Sequence, residues 1–327
     1  MREIVTWLKD HIRQDWNPWW YGLNALFLLV SFYCNYRWNL ELRYLDSRYG
    51  DPWLPLYFLP YYLLPYFFTV LSYGAVFRKW DFLRSRKFWG RTLFILAVLS
   101  LNSGAYFHRA WIKTLVPLDL RYFAEMVMIN FGSFFLFLIP IVLFKVVVDR
   151  HSGDGLYGFQ RRNFHPRPYL FMLLIMVPLI AWASFQPDFL AVYPTYRSSG
   201  AAEAWLGVPR FVTNSIYEFF YLADFATVEL LFRGFMVIGL SAVLGKRAVL
   251  PMVTTYAFLH FGKPLGEAIG SIFGGYILGV IALYGRNIWG GVIIHAGVAF
   301  LMDLAAIVQV YVLKTTALVH WFMPRHA

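Results

Sequence analysis

Nine long apolar runs, at roughly 20–36, 53–77, 88–107, 122–148, 168–185, 211–243, 247–262, 265–284 and 287–312, constrain this chain more than any other feature. A backbone placed in hydrocarbon must satisfy its own hydrogen bonds, and a helix of about 20 residues does so while crossing the bilayer. Only 14% of the residues are charged and 59% are hydrophobic, whereas soluble domains carry roughly 25% charged residues. The expected fold is therefore all-α: a polytopic helical membrane protein with eight or nine transmembrane helices. The first run is short, and the seventh needs neighbouring protein to cap it. The sixth exceeds one simple span, so it is expected to tilt strongly or to break near Ala223-Asp224.

Ahead of the first run, Ile4, Val5, Leu8 and Ile12 recur at helical spacing beside Trp7, with acidic and basic residues between them. That pattern predicts an N-terminal amphipathic helix on the membrane surface and not a cleavable signal. Aromatic clusters such as Trp16-Asn-Pro-Trp19-Trp20-Tyr21 suit the headgroup zone. The net charge of +11 comes from short basic loops, including Arg78-Lys79, Arg84-Ser-Arg86-Lys87 and Arg161-Arg162. Such loops orient helices and meet anionic lipid, so no nucleic-acid partner is expected. Loop 78–91 favours a cytoplasmic N-terminus. Cys34 is the one cysteine, which excludes an internal disulfide and a cysteine zinc site.

Chemical character is concentrated in the last third. Glu229-Leu-Leu-Phe-Arg233-Gly234, His260-Phe-Gly-Lys263-Pro264, and His295 followed by Asp303 all lie within or beside apolar runs. An ionisable group in hydrocarbon costs about 2.5 kcal/mol or more, so such groups meet partners or water. Glu229 and Arg233 are four apart, and therefore on one helix face. They form an internal salt bridge, a carboxylate held ready to take a proton from water, or both. Burial of His295 favours neutral imidazole, as a metal ligand or an oxyanion donor requires. Asp303 follows two turns later, about 80° around the helix. Glycines at 266, 270 and 274, and at 275 and 279, form small-residue faces for close helix packing. Glu267 is a further candidate, binding Lys263 or lining an entrance.

The order Glu-x-x-x-Arg-Gly, then x-x-x-His behind an aromatic, then His in a late helix resembles the CAAX prenyl protease and bacteriocin-processing (CPBP, or Abi) family of membrane peptidases. The resemblance covers roughly 211–310 and rests on the motifs Glu-Glu-x-x-x-Arg, Phe-x-x-x-His and His-x-x-x-Asn. It places Glu229, Arg233, His260 and His295 on the motif positions. Three positions depart: Val228 replaces the first Glu, Tyr256 the Phe, and Ala299 the polar residue after the last His, with Asp303 the nearest substitute.

The resemblance implies an endopeptidase in which Glu229 and His260 activate water and His295 stabilises the oxyanion. Arg233 would fix Glu229, with Asp303 and Glu267 in support. No cofactor is firmly implied; zinc held by Glu229, His260 and His295 is the alternative the donor set leaves. Val228 and Ala299 leave open a catalytically impaired scaffold or peptide-binding protein. A transporter is a third reading, weakened by the lack of an internal repeat. The expected organisation is accessory membrane helices over 1–209, a CPBP-like core over 210–312 and a tail over 313–327. The expected partners are a peptide or protein substrate at the membrane and the lipid bilayer. A multi-pass position in a bacterial inner membrane is the expected location.

Overall fold

The computed structural model describes residues 1–106, 108–160 and 164–313, and every regular element among them is helical. In chain order these are α1 (Arg2–Asp15), α2 (Pro18–Trp38), α3 (Leu40–Tyr44), α4 (Leu54–Phe77), α5 (Arg86–Gly104), α6 (His108–Leu115), α7 (Arg121–Val147) and α8 (Arg167–Ala183). There follow α9 (Pro187–Val192), α10 (Ala201–Leu206), α11 (Arg210–Glu229), a π-helical segment (Leu230–Gly239), α12 (Ser241–Leu244), α13 (Val249–Phe258), α14 (Leu265–Gly285) and α15 (Trp289–Ile307). Most of the tail and the Arg161-Arg162 pair lie outside the described residues.

The apolar runs became helices within a few residues of their expected ends. Five helical stretches are long and apolar enough to cross a membrane: Leu54–Phe77, Leu118–Val147, Arg210–Phe258, Leu265–Gly285 and Trp289–Val312. This is an integral multi-pass membrane protein. Helices α2 and α5, which the sequence offers as spans, fall outside those five, and α8 is apolar but shorter. No break occurs at Ala223-Asp224. Helix α11 runs through that point, and the irregularity comes later, where the i→i+5 bonding of the π segment begins after Glu229.

The chain divides into two compact units that cut across its linear order. The first comprises Met1–Phe107, Ser133–Phe164 and Thr227–Gly291; the second comprises His108–Gly132, His165–Ala226 and Val292–Ala327. In the first unit, α13 packs chiefly on α14 and α4. A buried polar ladder ties these helices to α2. Thr69 Oγ1 donates to Asn24 Oδ1 at 2.6 Å and lies 2.9 Å from Thr254 Oγ1, while Trp20 Nε1 donates to the Thr69 carbonyl at 3.1 Å. In hydrocarbon these groups have no water to return to, so the ladder fixes helix register.

Helix α1 forms as expected but is not spent on lipid alone. Ile4, His11 and Asp15 are buried, and Trp7 stacks on Tyr284 at 6.5 Å while the His11 ring meets Tyr276 and Tyr284. The face that sequence assigns to the membrane surface therefore docks in part on α14, leaving Val5 and Ile12 exposed. Burial, with Lys246 and Arg247 nearby, pushes the His11 imidazole down to about 4, so it packs as the neutral ring.

The first unit also buries ionisable groups from residues before 210. Arg91 donates to Asp149 at 2.6 Å and to the Gly239 carbonyl at 2.7 Å, and Tyr157 donates to the same carboxylate at 2.7 Å. This triad holds the end of the π segment. Gly234 and Gly239 make room for it, because a Cβ at either would come within about 3 Å of Tyr157.

In the second unit, the 186–210 connection contains α9 and α10. Its buried Glu203 accepts from Ser198 Oγ at 2.6 Å and from Thr213 Oγ1. Glu125 pairs with Arg109, and Arg121 donates to the Val116 carbonyl at 3.1 Å.

Candidate active site

Glu229 is the last residue of α11, and Arg233 lies one turn on, inside the π segment. Both are sealed from solvent, at 0% and 1% exposure. Arg233 Nη1 donates to Glu229 Oε1 at 2.8 Å. A π segment is uncommon and recurs at functional positions; here all ten of its residues are buried. Gly291, at the start of α15, completes the enclosure, because a Cβ there would collide with the Glu229 carboxylate. The absence of a side chain at 291 lets Glu229 lie against the α15 backbone.

From Arg233 the contacts continue to α13. The guanidinium carbon lies 4.4 Å from the centre of the Tyr256 ring. Cation–π contact helps hold a charge that has been taken out of water. Tyr256 stands where the motif has Phe, and its ring supplies that aromatic face. Tyr256 is seated against α14 by Gly275, where a Cβ would stand 3.2 Å from the ring, and Gly279 admits Met252 and Val249 likewise. The 275/279 glycine face is thus used for close packing. Gly266, Gly270 and Gly274 have no such neighbour within 4 Å among the described residues.

Helix α13 ends at Phe258, and His260 sits in the turn that follows. Its ring lies 4.4 Å from that of Tyr256, and Nδ1 is 2.9 Å from the Tyr256 carbonyl. A carbonyl only accepts, so Nδ1 carries the proton and Nε2 is the acceptor atom of neutral imidazole. Glu229, Arg233, Tyr256 and His260 thereby form one continuous series of contacts inside the first unit. Glu267, in the first turn of α14, belongs to the same unit and is electrostatically coupled to Tyr256.

His295 and Asp303 belong to the second unit. The His295 ring is half-buried and lies 4.3 Å from Phe225, tilted by 49°. Asp303 is 3% exposed. Its Oδ1 accepts from the Thr195 amide at 2.8 Å, and its Oδ2 accepts from Thr195 Oγ1. Sequence gives no sign of that arrangement, since Thr195 is 108 residues away.

Among the described residues, no three or more His, Cys, Asp or Glu side chains gather as a group able to hold a metal ion. No step below runs through a metal. An open apolar groove of about 390 Å³ runs along α11, lined by Phe211, Ile216, Phe219 and Phe220 among others, and it contains none of the motif residues.

Comparison with known proteins bears on this stretch. The family model for type II CAAX prenyl endopeptidase Rce1-like proteins matches residues 204–301. No curated protein and no solved structure matches the chain. The matched stretch includes Glu229, Arg233, Tyr256, His260, Glu267 and His295, and stops short of Asp303. The family likeness read from three spaced motifs is thus shown for residues 204–301, which carry an Rce1-like (CPBP/CAAX prenyl endopeptidase) domain.

Proposed function

We propose that the protein is a membrane-embedded endopeptidase that cuts a peptide or protein substrate at the bilayer with a water activated by Glu229 and His260. The observation that carries this reading is the contact series Glu229–Arg233–Tyr256–His260 within the Rce1-like stretch. Arg233 holds one carboxylate oxygen and so fixes the orientation of Glu229. The other oxygen takes the proton as water adds to the scissile carbonyl, with His260 Nε2 accepting from the same water. His295 enters the proposal from its motif position, as the donor to the developing oxyanion. The leaving amine then takes up the proton removed from water, so the cycle consumes one water and returns each group to its starting state.

A second reading has its own support. Glu229 is fully sealed, and Val228 occupies the position of the motif's first carboxylate. Those facts favour a scaffold that keeps the domain and binds peptides without cutting them.

One experiment addresses both. Purified protein in detergent is incubated with a peptide library, and new termini are identified by mass spectrometry in the parent, Glu229→Gln and Val228→Glu proteins. The peptidase reading expects parental cleavage that falls on the order of 10²–10⁴-fold in Glu229→Gln, the usual size of a general-base contribution. It also expects cleavage to survive a zinc chelator. A folded Glu229→Gln protein that cuts as fast as the parent sinks the base assignment. An inert parent rescued by Val228→Glu establishes the scaffold instead.

A further inference from the structure

Outside the Rce1-like stretch, one carboxyl group is built into the turn that bears His260. Asn39, at φ 50°, ends α2 in the left-handed region that Asn tolerates, and the chain re-enters as α3 with Glu41 in its first turn. Asn35 anchors this reversal, accepting from the Glu41 amide at 2.9 Å and donating to the Phe261 carbonyl at 3.1 Å. Tyr36 donates to the Lys263 carbonyl at 2.6 Å, and Tyr61 of α4 donates to the Phe258 carbonyl at 2.9 Å. Three hydrogen bonds thus tie α2 and α4 to residues 258–263, and a fourth ties α3 to α2. Against this turn Glu41 Oε2 is sealed from solvent, with no hydrogen-bond partner and no ion pair among the described residues. It lies 3.4 Å from where a Gly262 Cβ would stand, so the carboxyl rests beside the turn at ordinary contact distance.

A carboxyl oxygen sealed from solvent with no donor and no cation favours the neutral acid. Burial, reinforced by Asp46, pushes Glu41 up to about 8. The titratable groups around it are Asp46, Tyr61 and Tyr62, with Tyr36, His260 and Lys263 on or bonded to the clamped turn. None of them forms an ion pair with it.

We propose that Glu41 is a positioning residue of the active site: as a neutral acid it seats the His260 turn against α3, and its ionisation unseats that turn. This rests on the peptidase reading above and adds to it a control from the N-terminal helices. No bond to substrate is involved. The only event is loss of one proton to solvent, which leaves an uncompensated carboxylate against the Gly262 backbone.

The test compares full-length parent and Glu41→Gln proteins, because glutamine matches the neutral acid in shape and cannot ionise. Peptide turnover is measured from pH 6 to 10 and thermal melting from pH 5 to 9. The parent should lose turnover by about tenfold per pH unit above about 8. Glu41→Gln should retain neutral turnover within a few-fold and lose that alkaline limb. The melts carry a sign that does not depend on turnover. A raised carboxyl keeps its proton in the native state while the unfolded chain releases it, so parental stability falls as pH rises from about 4.5 to about 8. The melting advantage of Glu41→Gln should grow across that window. An unchanged alkaline limb in Glu41→Gln, or a folded Glu41→Gln protein that is inactive at neutral pH, overturns the proposal. Absence of any Glu229-dependent cleavage in the parent overturns the peptidase reading, a failure visible without the variant at 41.

Discussion

Glu229 and Asp303 are both sealed inside apolar helices, yet the two units meet those charges by different means. In the first unit a guanidinium stands against the carboxylate and itself lies over the face of Tyr256. In the second, Asp303 accepts from both the amide and the hydroxyl of Thr195. A cation partner offsets a buried carboxylate at the cost of burying a second charge. Neutral donors offset it without one. The first arrangement suits a group that must accept a proton from water. The second suits a structural clasp on the segment before α10.

That contrast sets the largest expected effect. Arg233→Met removes the cation paired with the buried Glu229 carboxylate, a change that typically costs about 3–5 kcal/mol. Asp303→Asn keeps an oxygen for the Thr195 amide and offers an amide group to Thr195 Oγ1, so about 1 kcal/mol is expected. Thermal melts of the two variants in one detergent measure the difference. Equal losses would mean that Glu229 is already neutral, and the division of roles between the units would fail.

A smaller effect tests the enclosure of Glu229. Gly291→Ala places a methyl group where the carboxylate lies, and overpacking of this kind costs about 1–3 kcal/mol. Because the carboxylate must shift, cleavage should fall more steeply than stability does. The readout is turnover at a temperature where the variant remains folded. A variant with parental turnover would show that Glu229 tolerates displacement, which a positioned base does not.

These contrasts also separate what sequence makes legible from what it hides. The helices were legible because their apolar runs had to bury backbone polar groups, and the Glu229–Arg233 pair because four residues make one helical turn. The π segment was not, since it depends on Tyr157 packing on Gly234 and Gly239 from a distant part of the chain. Glu41 was hidden for a similar reason. A glutamate in a polar stretch reads as solvated until Asn35 and Asn39 turn it back onto Gly262. Helical spacing could not anticipate Thr195 reaching Asp303 from another segment.

The smallest effect lies within α14, whose glycines sequence treats alike. Gly279 faces Met252 and Val249, so a Cβ there would approach Met252 Cε to 2.7 Å and Val249 Cγ1 to 3.1 Å. Gly270 has no neighbour within 4 Å among the described residues. Alanine at 279 must displace a flexible methionine end and a stiffer valine, for a loss of about 1 kcal/mol or somewhat more. Alanine at 270 meets nothing and gains helix propensity, worth roughly 0.5–1 kcal/mol because glycine loses more backbone freedom on folding. The two variants should therefore move the melting temperature in opposite directions. Loss of stability at 270 equal to that at 279 would show that the 266/270/274 face is packed in the folded protein. It would then have to be covered by a second copy of the chain or another membrane helix.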